Sequence, residues 1–75
     1  MSVDATLTPT TRIGETAGTI WRYLASSGPS SLTAVVQDVR APRDLLMQAI
    51  GWLAREGKIE ITESGRTKTI TLKSD

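Results

Sequence analysis

Apolar residues recur along this chain first at helical spacing, in three stripes, and then in two alternating runs. That change of period, from 3.6 to 2, predicts three helices followed by a β-hairpin. Ile13, Ala17, Ile20 and Leu24 fall at i, i+4, i+7 and i+11, which places them on one face of a helix from Thr11 to about Ser26. Thr11 is expected to cap its start, and Glu15 lies in the early turns, where a carboxylate suits the positive end of the helix dipole. Trp21 and Tyr23 flank the stripe on opposite sides and read as core edge rather than as a stacking platform for bases. Gly28 and Pro29 end the helix.

Ser30 to Leu32 allow a very short strand. Thr33 then suits the cap of a second helix over Ala34 to Val39, with Leu32, Val35, Val36 and Val39 facing inward. β-Branched residues are mediocre helix formers, so tertiary packing must hold this element. Arg40 and Ala41 make a turn. Pro42 fits the first position of a third helix, where its missing N–H is not needed, and Asp44 supports the same start. At 100° per residue, Leu46, Ala49, Ile50 and Leu53 gather on one side of that helix and Asp44, Gln48, Gly51 and Arg55 on the other. The first set is core; the second faces a partner. Gly57 closes the helix.

In the last third, Ile59 and Ile61 alternate with Glu60 and Thr62, and Ile70 and Leu72 with Thr69 and Thr71. Pairing Ile61 with Ile70 and Ile59 with Leu72 puts all four on one face and centres the turn between Gly65 and Arg66. Glycine at the first central position fits a type II′ turn. The expected architecture is α+β: a helix-turn-helix over residues 32–58, braced by a first helix and completed by a two-stranded wing. Residues 11–73 form one domain, and residues 1–10, small and polar without a period, are expected to be a flexible tail.

A chain of 75 residues buries only about 60% of its unfolded surface, and with Cys and His both absent no disulfide or zinc site can add stability. Pairing of two copies is the remaining source. The segment MSVDATLTPT has neither a basic start nor an apolar run, so no secretory signal is expected, and no stretch approaches a membrane span. A cytoplasmic location follows as the expectation. The net charge of +1 argues little, but residues 40–73 hold seven Lys or Arg against four Asp or Glu, a local excess of +3. On charge alone, a mixed-sign solvated surface is the preferred account of that excess.

An enzyme is the least favoured class. The commonest general bases and thiolates are missing, the carboxylates are scattered, and no phosphate-cradling loop or metal spacing occurs. No catalytic residue, cofactor, metal or small-molecule substrate is therefore expected. On a helix-turn-helix, residues early in the recognition helix meet base edges. Arg43 and Gln48 have the chemistry to pair with guanine and adenine, Arg55 suits a phosphate, and Arg66 and Lys68 occupy the wing tip.

Two features of the third helix ask for a second account. Gly51, exposed in mid-helix, costs about 1 kcal/mol relative to Ala, so close approach of a phosphate backbone or of another helix should benefit from it. Leu45 and Trp52, seven apart, form an apolar edge that either tucks under the first helix or the wing, the favoured reading, or marks a protein interface.

The segments GETAGTIWRYL, SLTAVVQDV and AIGWLAREGKIEI, spread from Gly14 to Ile61, resemble those of short bacterial winged helix-turn-helix proteins of unassigned function. The resemblance covers about two-thirds of the chain. It implies the winged-helix fold and a role in DNA binding, and brings no ligand or catalytic residue with it. Ala41 departs from the pattern, standing where such domains often have a capping Ser or Thr. Two functions follow for test: a DNA-binding domain acting as a small transcription regulator or accessory factor, and a protein-interaction or homodimerisation module built on Leu45, Gly51 and Trp52.

Overall fold

The computed structural model of the chain describes residues 9–73. In order, the elements are α1 (Pro9–Ser27), β1 (Ser30–Ser31), α2 (Leu32–Asp38), α3 (Arg43–Arg55), β2 (Ile59–Ser64) and β3 (Thr67–Leu72). The strands form one antiparallel sheet in the order β1-β3-β2. Three helices and this small sheet make the winged helix that the periods predicted. The tail expected over residues 1–10 lies outside the described residues up to residue 8, whereas residues 9 and 10 already belong to α1. The helix thus starts before Thr11, which sits within the first turn instead of capping it; proline lacks only an N–H that a first turn does not use.

The helix ends follow backbone chemistry closely. Gly28, at φ +78°, donates its N–H to the Leu24 carbonyl at 2.8 Å and turns the chain out of α1. Gly57, at φ +73°, donates to Ala54 at 3.1 Å while Lys58 donates to Leu53 at 2.9 Å, the paired bonds of a Schellman ending. The α2 cap is Ser31 and not Thr33: its Oγ accepts the Ala34 N–H at 3.0 Å. Ser31 is held extended (φ −69°, ψ 154°) by pairing with Thr69 in the sheet, and an extended residue just before the first turn is what a cap requires.

Pro42 proves to be the residue before α3 rather than its first, and it supplies no side-chain cap. Asp44 takes over that task, its Oδ1 accepting the Leu45 N–H at 2.9 Å. The lack of a capping hydroxyl at Ala41 is made good from inside the helix.

The core is one cluster. Ala17, Ile20 and Leu24 of α1 meet Leu46, Ala49, Ile50 and Leu53 of α3, with Val35 and Val39 of α2 and Ile59 and Ile70 of the hairpin completing it. The helix phases drawn from the spacing are therefore correct. So is the strand register: Ile59 pairs with Leu72 and Ile61 with Ile70. Gly65 has φ +62° and Arg66 a negative φ, which makes the two-residue turn type II′ and not type I′.

Truncating a buried side chain should remove its transfer free energy and leave a cavity. Ile50→Ala is expected to destabilise the domain by about 2–5 kcal/mol. Ser31→Ala should cost about 1 kcal/mol as a lost cap, and Thr33→Ala much less. Urea unfolding midpoints check all three; equal effects at Ser31 and Thr33 would contradict the cap.

Candidate nucleic-acid interface

The inner face of α3 is pinned by α1 and the hairpin, so its outer face is fixed as a platform. Asp44, Gln48, Gly51 and Arg55 are all exposed along it, as the helical phase required. Arg43, one turn before Met47 and on the flank facing the hairpin, is exposed too. A cleft runs between this flank and the wing, lined among others by Arg43, Met47, Gly51, Ile61, Glu63 and Lys68. Two of the five candidate DNA contacts, Arg43 and Lys68, therefore share one cleft from different elements. Gln48 and Arg55 lie on the adjoining open face, and Arg66 stands in the turn at the far end of the hairpin, fully on the surface.

Lys68 has a partner that the register dictates. Glu63 is its cross-strand neighbour, and the two side chains form an ion pair at 3.4 Å, both well exposed. An exposed pair of this kind contributes about 0–1 kcal/mol, so it holds the Lys68 ammonium only weakly. Asp44 is the acid in the middle of the basic face, and its carboxylate is occupied with the start of the helix. Its charge serves α3 and leaves Arg43 and Arg55 exposed on either side.

The interface residues proposed from sequence do not form one surface. Gly51 lines the wing cleft, while Trp52, 100° further round the helix, lines a separate groove against α1 with Gly14, Gly18 and Trp21. Trp52 is 46% exposed, so it rests beside α1 without being buried under it, and the preferred reading of Trp52 as core is overturned. The flank of α1 beside Trp52, next to the buried stripe, carries Gly14 and Gly18 and is too short-chained to cover an indole. Leu45 is half-buried. Trp21, read as core edge, is 45% exposed, whereas Tyr23 does pack on the core and donates its hydroxyl to Asp38 Oδ2 at 2.7 Å, tying α1 to α2. Among the described residues, Ile61 is the remaining exposed large apolar side chain, at 39%. It has the inward parity expected, but β2 is the outer strand of the sheet, so Ile61 is left at the edge while its cross-strand partner Ile70, on the central strand, is buried.

A helix-turn-helix made of α2 and α3, with α1 behind it and a basic-tipped hairpin beside it, defines the class: a winged helix-turn-helix domain. The chain belongs to the family described as "Winged helix-turn-helix domain (DUF2582)", whose model matches residues 8–72. It is also 38% identical over 65 residues to an uncharacterised protein of Methanocaldococcus jannaschii, an alignment covering 83% of this chain and 91% of that protein. The sequence likeness pointed to bacterial proteins; this relative is archaeal. No solved structure matches the chain. Among the described residues, no helix is long and apolar enough to cross a membrane.

A Cβ built on Gly51 meets nothing within 4 Å. The fold itself therefore has no use for a glycine there, and Gly51→Ala should raise stability by about 1 kcal/mol through helix propensity. Thermal unfolding checks the sign: a loss of stability would place an unseen packing constraint at this position.

Proposed function

We propose that this chain is a DNA-binding winged-helix domain, acting as a small regulator or accessory factor and not as an enzyme, in the cytoplasm. The observation that carries the reading is the convergence of Arg43 from α3 and Lys68 from the wing on one cleft beside an otherwise open helix face. In this reading α3 enters the major groove with Arg43 and Gln48 toward base edges and Arg55 toward a phosphate. Arg66 and Lys68 bring the wing to the flanking backbone. Gly51, in the middle of the approaching face, lets the sugar-phosphate chain come closer than any side chain would. One winged helix buries a modest surface on DNA, so useful affinity calls for two copies.

The test is an NMR titration of labelled protein with mixed-sequence duplex DNA at low and moderate salt. Shifts should cluster on residues 42–55 and 64–68 and fade as salt rises, because displaced counterions account for much of the affinity. Arg43→Ala and Arg66→Ala should each weaken binding with the fold unchanged. Silence throughout the low-salt titration removes the DNA reading.

A further inference from the structure

Opposite the wing cleft, on the other flank of α3, lies an apolar groove outside the surface proposed for DNA. Its walls include Gly14, Ala17, Gly18 and Trp21 of α1 and Trp52 and Leu53 of α3, with Lys58 also lining it. Both tryptophans of the chain are here, each almost half exposed. On α1, Gly14, Gly18, Trp21 and Ala25 fall within a sector of about 60° that is distinct from the buried stripe. The helix thus carries two apolar faces, and the core covers one.

We propose that the second face of α1 binds the same face of a second copy of this chain, the two helices running antiparallel about a two-fold axis. The choice of a second copy rests on self-complementarity. Gly14 and Trp21 lie at nearly equal distances on either side of residues 17 and 18, so an axis there sets each Trp21 indole into the notch at the second copy's Gly14. A Cβ added at Gly14 meets nothing within 4 Å, which makes the notch real space in the single chain. The same axis brings Arg22 to the second copy's Glu15 within two residues' rise, about 3 Å along the helix, which the two long side chains span. Glu15 and Arg22 are exposed on the adjoining flank of α1, where interhelical ion pairs set partner and orientation. Arg22 at present lies along its own helix, donating to Thr19 Oγ1 at 3.4 Å, an exposed bond that it can give up. An isologous interface demands that a large residue face a small one, and a cation face an anion, when the surface is turned onto itself. This face of α1 meets both conditions.

The surface lies on the flank of α3 away from the wing cleft, so the inference stands whether or not DNA is bound. Sedimentation equilibrium of the full chain up to millimolar concentration is the test. The wild type should show a reversible monomer–dimer equilibrium. Gly14→Leu fills the notch without touching the monomer's core: it should abolish the dimer while its unfolding midpoint at monomeric concentration holds or rises. Glu15→Arg and Arg22→Glu should each weaken the dimer about tenfold, and the double exchange should restore it. A wild-type chain that stays monomeric throughout overturns the proposal. So does a dimer that Gly14→Leu leaves intact, or one that the double exchange fails to restore.

Discussion

Burial of one face of α3 is the constraint on which the rest of this molecule depends. Leu46, Ala49, Ile50 and Leu53 are at most 5% exposed and are the buried residues of that helix, with Met47 packed against the cluster from the side. Because α1 presses on them from one side and Ile59 and Ile70 from the other, α3 can neither roll nor slide without exposing apolar surface, at about 25 cal/mol for each Å². Fixing the inner face fixes the outer one. The platform of Gln48, Gly51 and Arg55 exists because its opposite side has nowhere else to go.

The two flanks of α3 then differ for a physical reason. On the hairpin side the neighbour is a strand pair that projects beyond the core, so the cleft mixes apolar floor with the charged ends of Arg43, Glu63 and Lys68. On the α1 side the neighbour is a helix whose facing residues include glycines, so the groove stays apolar and shallow and Trp21 and Trp52 remain half covered. One helix, α3, therefore borders two surfaces of different chemistry, a charged cleft on one flank and an apolar groove on the other.

Much of this was legible in the residues. Helix phase follows from spacing alone, and the hairpin register follows from alternation together with a glycine at the first turn position, since slipping by one residue would turn every isoleucine outward. The Glu63–Lys68 pair was also within reach: once Ile61 opposes Ile70, counting outward places Glu63 opposite Lys68. What spacing does not carry is how far a neighbouring element extends. Period placed Trp52 beside the buried stripe but left open whether the first helix or the wing is its neighbour, and only the bulk present on α1 decides whether an indole there is covered. Caps were misplaced for a related reason. Ser31 and Thr33 have equivalent side chains, and the choice between them was made by strand pairing from residue 69, beyond the range of any local pattern. The bond from Tyr23 to Asp38 left no signal in the sequence at all.

The smallest element has the longest reach. Ser30 and Ser31 pair with Ile70 and Thr69, forty positions away in the case of Ser30 and Ile70, and the same Ser31 hydroxyl then starts α2. The helix-turn-helix is thereby clasped to the hairpin at its first residue. The residue that caps α2 is thus held in its capping conformation by the last strand of the sheet, so the start of the helix-turn-helix depends on residues near position 70 as much as on its own sequence.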